Sequence, residues 1–103
     1  MSDFEKEMEA GMRHMMHGMH VPYSGIPDVD FLAMMIPHHE GAVEMARLAL
    51  VHGRDPATRR LAEDIIASQT VEIAAMKNRL GILKGEKQNA EPGFPELGGT
   101  RGN

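Results

Sequence analysis

The stretch that decides the fold spans residues 28–52 and reads DVDFLAMMIPHHEGAVEMARLALVH. At about 100° per residue, one set of its side chains shares a single face of a helix. That set is Phe31, Met34, Met35, His38, Ala42, Met45 and Ala49. His38 falls near the middle of this apolar face, and His39 lies about 100° further round. We therefore predict a second helix that starts at an Asp28 cap, stops at Gly53 and carries imidazoles among thioethers.

Pro37 interrupts this helix about three turns after its start. Proline removes one backbone hydrogen bond, and its ring clashes with the carbonyl of Ala33, so we expect a kink. The kink would lie beside the Met34–His39 cluster, where a freed carbonyl and a widened turn would help to form a pocket.

Helices are also predicted on either side of this stretch. Ser2 and Glu5 form a capping-box pattern at the start of the first helix. Asp55 followed by Pro56 is a cap with proline at the first helical position of the third. No strand-like alternation occurs, so the fold class is all-α, an antiparallel three-helix bundle. The predicted organisation is one domain over residues 1–84, with helices over about 2–20, 28–52 and 56–84, and a flexible tail over residues 85–103.

Composition excludes several classes of protein. The 103 residues carry a formal charge of −4 without any basic stripe, which argues against a nucleic-acid partner. No apolar run approaches the roughly 18 residues that span a bilayer, so we expect no membrane insertion. The absence of cysteine excludes disulfides, thiolate metal sites and covalently attached haem.

The third helix places polar residues on its apolar face. Gln69 and Glu72 lie among Leu61, Ile65, Ile73, Met76 and Leu80. If this face packs against the second helix, a carboxylate is buried, which costs several kcal/mol without a partner. A metal ion or a protonated His38 would supply that partner. The alternative is that Gln69 and Glu72 bond to His38 with no metal present.

The first helix carries a methionine stripe. Its members are Met8, Met12, Met15, Met16 and Met19. Methionine packs cores, but it is also the soft ligand that suits Cu(I), and the stripe alone leaves both uses open. His14 and His17 point away from the stripe as a solvated pair or a weak surface site, and His20 lies near its edge.

Two motifs carry a family resemblance. Residues 30–46, with their Pro-His-His element, and residues 67–76 resemble the two signatures of the Domain of Unknown Function 305 family. The resemblance implies a ferritin-like helical fold and Met/His-rich copper binding, in some members periplasmic and linked to copper resistance. It favours an extracytoplasmic location if this is a mature form. The acidic N-terminus, which lacks a signal-peptide hydrophobic region, favours the cytoplasm if Met1 is the native start.

The leading hypothesis is a copper-binding protein that sequesters, buffers or transfers Cu(I), with Cu(II) and Ag(I) as further ions. The predicted ligands are Met34, Met35, His38, His39, Met45, Glu72 and Met76, with Gln69 supporting them. A second, weaker set comprises Met12, Met15, Met16, Met19, His14, His17 and His20.

The alternative is a helical interaction module without a physiological metal. Three helices do not close a four-helix bundle, so a homodimer would complete the core. We expect no enzymatic activity, because no nucleophile–base pair and no Glu-x-x-His di-iron motif occurs.

Overall fold

A computed structural model describes residues 1–89 of the chain. It contains three helices: α1 (Asp3–Met19), α2 (Pro27–His52) and α3 (Pro56–Asn89). No strand occurs within residues 1–89, which confirms the all-α prediction. The helix of α2 is unbroken through Pro37. The predicted tail beyond residue 89 lies outside the described part of the chain.

Two predicted helix starts are confirmed by their hydrogen bonds. At α1, Glu5 N–H donates to Ser2 Oγ at 3.1 Å, and Ser2 N–H donates to Glu5 Oε1 at 2.7 Å. At α3, the backbone N–H and the hydroxyl of Thr58 donate to Asp55 Oδ2 at 2.8 and 2.7 Å. Thr58 thereby holds the pKa of the Asp55 carboxyl below its ordinary value.

Two predicted helix ends are wrong. The cap of α2 is Ile26 rather than Asp28, because Pro27 already has the φ that the first helical position requires. The carboxylate that organises this turn is Asp30, which accepts from Ser24 N–H and Oγ at 2.8 Å each. At the other end, α3 continues past Gly85, so residues 85–89 are helical instead of belonging to the tail. A helical glycine costs only about 1 kcal/mol and does not stop a helix alone.

The turn between α2 and α3 depends on Gly53, as predicted. Its N–H donates to the Ala49 carbonyl at 2.7 Å, and an added Cβ would lie 2.5 Å from the same oxygen. The Arg59 guanidinium donates to the carbonyls of Leu50 and Gly53, which fixes the start of α3 against the end of α2.

The three helices form a flat layer, with α1 and α3 on opposite sides of α2. Between Cα extremes the layer measures 58 × 26 × 15 Å. The most buried side chains of the described residues are Val29, Leu32, Ile36, Val43, Ala46, Leu48 and Ala62. On α2 the first five of these recur at steps of three, four, seven and three residues, and form the stripe that meets α3. Leu48 lies about 145° away from this stripe, on the side of α1.

This packing corrects the predicted interior of α2. The predicted face, with His38 at its centre, lies about 125° from the stripe that packs on α3. Phe31 and His38 are exposed, and the other members of that face are half-buried. The helical periodicity indicated the wrong buried face because α2 contacts a helix on each side. It is therefore apolar around most of its circumference.

Candidate metal site

The contact between α1 and α2 is a close approach of two backbones. Met15 packs over Gly41, where an added Cβ would lie 2.5 Å from the Met15 Sδ. Gly18 approaches Pro37 in the same way, with 3.0 Å from its virtual Cβ to the Pro37 Cβ. These two pairs show that α1 and α2 are antiparallel. A residue of α1 lies level with the residue of α2 whose number, added to its own, gives about 55 or 56.

One side of the α1–α2 contact is charged. A groove of about 570 Å³ there is lined by His14 of α1 and by Glu40 and Glu44 of α2. Glu40 also accepts from Lys77 of α3, with 3.0 Å between Nζ and Oε2. Arg47 lies beside Glu44 in a smaller groove shared with α3. We call this side of the layer the charged face.

The opposite side of the layer carries the thioethers. Around α1, Met12, Met16 and Met19 lie on one side of the Met15 contact, and His14 lies on the other. Around α2, His38 and Met45 lie across the Gly41 contact from Glu40. We call this side the methionine face. On α1 its members are Met12, Met16 and Met19. On α2 they are Phe31, Met35, His38, Ala42, Met45 and Ala49, and on α3 they are Leu61, Ile65, Glu72 and Met76. It therefore gathers most of the predicted ligands, including three of the five methionines of the α1 stripe.

The imidazole that meets α3 is His39, whereas the sequence pointed to His38. His39 Nε2 lies 3.1 Å from Glu72 Oε1, and Nδ1 lies 3.0 Å from the Met35 carbonyl oxygen. The His39 side chain is 15% exposed and that of Glu72 is 56% exposed. Glu72 is thus not buried, and the desolvation cost that called for a metal partner does not arise.

The two contacts of His39 occupy both of its ring nitrogens. Each nitrogen faces an oxygen that only accepts, so both can donate at once only when the ring is protonated. A metal ion on His39 would have to displace either Glu72 or the Met35 carbonyl. His38 is exposed and is the more accessible imidazole of the pair.

Gln69 contributes a buried acceptor without a donor. Within the described residues, its Oε1 is inaccessible to solvent and has no hydrogen-bond partner. An unsatisfied buried acceptor costs about 1–3 kcal/mol. Gln69 therefore lies in the interior as predicted, with an oxygen that a bound donor group or cation would satisfy.

The remaining predicted ligands are dispersed. His14 lies on the charged face, and His17 and His20 are exposed at the end of α1, where His20 N–H donates to the His17 carbonyl. Met34 is half-buried one turn before His38. These histidines do not join the methionine face, so His14 and His17 form no common site with the thioethers.

One contact was missed by the sequence analysis. His52 Nε2 lies 2.7 Å from Glu7 Oε1, and its ring meets the Phe4 ring edge-on with 5.5 Å between centroids. Glu7 and His52 are 45 residues apart in the sequence, so no local pattern links them. Only the antiparallel register of α1 and α2 brings it to His52.

Hard donors do not cluster in the part of the chain that the structure describes. Within residues 1–89, no three His, Asp or Glu side chains form a group able to hold a metal ion. The donors that do share a surface are thioethers with an imidazole, which is a soft set. In the same residues, no helix has both the length and the apolar character needed to cross a membrane.

Two comparisons with known proteins indicate the family of this chain. The model of a family described as "Domain of unknown function (DUF305)" matches residues 1–80 and 28–100. An uncharacterized protein of Acanthamoeba polyphaga mimivirus is 42% identical over 59 residues, which is 57% of this chain. The chain spans 39% of that relative's length. Since the family model covers most of the sequence, the chain belongs to the DUF305 family.

Proposed function

We propose that the protein binds Cu(I) on the methionine face and buffers or transfers it without catalysing a reaction. The observation that carries the proposal is that soft donors of two helices, Met12, Met16 and Met19 with His38 and Met45, lie on the same side of the layer, where Met12, Met16 and His38 are exposed. Thioether and imidazole together select Cu(I) over the hard cations. Copper is the cargo in this proposal.

The register of α1 and α2 supports a shared site. Because Met15 contacts Gly41, Met16 and Met19 are level with residues 37–40 of α2 and within about one turn, or 5 Å, of His38 along the axis. By the same register Met12 is level with Met45. One imidazole and several thioethers are thus available to one ion or to neighbouring ions.

The accessibility of the donors supports an exchangeable site. Met16 is 61% exposed and Met12 is 41% exposed, so an incoming ion reaches them without unfolding the chain. The set contains no thiolate, and its imidazole must be neutral to bind a metal. Affinity should therefore fall under acidic conditions, which suits buffering and transfer rather than permanent storage.

A second group of predicted ligands lies nearer α3. Met35 and Met76 are half-buried on the methionine face, and His39 and Glu72 are bonded to each other. We propose that this group takes part only if the His39–Glu72 contact opens. Met34, one turn before His38, would complete the site on the α1 side.

Silver or copper(I) titration under reducing conditions tests the proposal. The ten methionine methyl groups are reporters in ¹³C-methyl NMR, and those of Met12, Met16, Met19 and Met45 should shift first. The triple variant Met12→Leu, Met16→Leu, His38→Ala should bind more weakly by roughly tenfold or more, with its helix content retained because Leu conserves the volume of Met.

His14→Ala is the matched control, since it removes an exposed imidazole from the charged face. It should leave the affinity unchanged. Undiminished Cu(I) binding by the triple variant would exclude the methionine face as the site. If His39→Ala weakens binding and the triple variant does not, the ion belongs at the α3 side.

A non-metal interaction module is the second candidate, and one observation favours it. The methionine face also exposes large aliphatic and aromatic side chains that no metal site requires, among them Phe31 and Leu61. Binding to another protein surface without any response to Cu(I) would support this candidate over the first.

A further inference from the structure

The methionine face is an open, largely apolar surface of a layer whose interior is thin. Phe31 is 60% exposed and Leu61 is 61% exposed, and Ile65 and Met16 lie on the same side. No large side chain of the described residues is fully buried. A helical domain ordinarily needs two packed layers to enclose a core, and the described residues supply one.

We infer that a second copy of the same chain covers the methionine face, with the two α2 helices antiparallel across a two-fold axis. The inference concerns the metal-free protein and does not depend on copper. Because the dimer covers His38 and Met45, Cu(I) would reach these donors only when the two copies separate. It turns two single layers into one two-layer bundle whose interior is the pair of methionine faces.

The size of the face fits a stable dimer. With the layer 58 Å long and 26 Å wide, its open side is on the order of 1,500 Å². A stable interface buries about 800 Å² on each partner, so contact over about half of the face is enough. The opposite side carries the Glu40–Lys77 ion pair together with Glu44 and Arg47, and would remain in solvent.

The central stripe of α2 is complementary to itself under an antiparallel two-fold. An axis level with Glu40 pairs residues whose numbers sum to 80, because each residue i then meets j while j meets i. It sets Phe31 over Ala49, His38 over Ala42 and Met35 over Met45. Two of these pairs set a large side chain against an alanine, and the third sets two flexible methionines together. A parallel pairing would instead set Phe31 over Phe31 and His38 over His38.

The C-terminal residues of this chain are a poorer occupant. The last fourteen residues carry only two large apolar side chains, Phe94 and Leu97. Two side chains do not cover an apolar surface that extends over three helices. A second copy brings the whole complementary stripe.

Sedimentation velocity in the presence of a chelator tests the inference, over a dilution series of the full chain. Wild type should sediment as a dimer. Phe31→Glu and Leu61→Glu should each weaken dimerisation by roughly a hundredfold, because a carboxylate would be buried in an apolar interface. Neither change should unfold the monomer, as both sites are exposed in it.

Val51→Glu is the matched control, because Val51 is 71% exposed and lies about 160° from Phe31 around α2. It should leave the dimer intact. A monomeric wild type, or a Phe31→Glu variant that dimerises as well as wild type, would overturn the inference. If Phe94→Ser with Leu97→Ser converts a monomeric wild type into a dimer, the C-terminal residues are the native cover instead.

Cysteine cross-linking tests the antiparallel register. The chain has no cysteine, so Met35→Cys with Met45→Cys introduces two that are about 15 Å apart within one helix and cannot bridge each other. Oxidation should give a covalent dimer with the double variant and none with either single variant. Efficient cross-linking of Met35→Cys alone would overturn the antiparallel pairing.

Discussion

The contact between α2 and α3 is made by branched aliphatic side chains, whereas the contact between α1 and α2 is made by glycines, a proline and a thioether. Leu32, Ile36 and Val43 are buried in the first contact. In the second, Met15 lies over Gly41, and α1 itself contains no buried residue. The two contacts thus differ in how much apolar surface each helix removes from water.

This difference separates the part that holds the fold from the part that offers donors. Burial of aliphatic side chains supplies most of the stability, so the α2–α3 hairpin is the framework. A close backbone approach places α1 with little burial and leaves Met12 and Met16 accessible. Four predictions test this difference between the two contacts.

The largest effect is expected in the α2–α3 contact. Ile36→Ala should lower the free energy of unfolding by about 2–5 kcal/mol, because it leaves a cavity in the buried stripe. Met15→Ala, in the other contact, should cost less, since Met15 is only half-buried. Urea unfolding at one fixed protein concentration measures both. An equal or larger loss for Met15→Ala would contradict the comparison, and Val51→Ala, an exposed control, should change little.

The close approach of α1 is tested at Gly41. Gly41→Ala should destabilise the protein by about 1–3 kcal/mol, because its Cβ would collide with Met15 and push α1 outward. Gly81→Ala is the matched control, since a Cβ there meets nothing within 4 Å. Gly81→Ala should stabilise α3 by about 0.5–1 kcal/mol through helix propensity. Thermal unfolding followed by circular dichroism gives both values, and the same sign for both would show that α1 is not packed as described.

A smaller effect is expected at the edge of the α1–α2 contact. Glu7→Gln removes the carboxylate that His52 contacts. Because both side chains are partly exposed, the free energy of unfolding should fall by at most about 1 kcal/mol. Hydrogen exchange of α1 amides should quicken while that of α3 is unchanged. Glu9→Gln, on the exposed side of α1, is the control. Equal acceleration in α1 and α3 would mean that the two contacts open together.

The smallest effect is expected at the start of α3. Asp55→Ala should lower the melting temperature at neutral pH, because the cap on Thr58 is lost. The pKa of Asp55 is lowered in the folded state, so its contribution is present above the ordinary carboxyl pKa, about 3.9, and disappears as the pH falls through the folded value. The difference from wild type should therefore shrink in acid. If the difference in melting temperature persisted in acid, the effect of Asp55→Ala would not come from the carboxylate. Asp64→Ala serves as the control.

The helix caps of this fold could be predicted from the sequence. The face that each helix turns towards its neighbours could not. The Ser2–Glu5 and Asp55–Thr58 caps depend on residues three positions apart, so the sequence contains both partners. The face of α2 that packs on α3 could be predicted only if it were known that α2 has a helix on each side. That is why His38 was expected in the interior and His39 occupies the position against Glu72.

The candidate site shows the same division. The methionine stripe of α1 and the Met/His cluster of α2 were each visible in the sequence. No local sequence pattern indicated that they lie on the same side of the layer. The register of Met15 on Gly41 decides that they do, and it also separates His14 from them.

The sequence by itself determined three helices, most of their ends and the apolar stripe on each, because caps and periodicity act within a few residues. The tertiary structure decided which stripes are buried. Once α1 and α3 take opposite sides of α2, no other element within residues 1–89 covers the third side. The methionines are left on an open face because three helices in one layer cannot cover it.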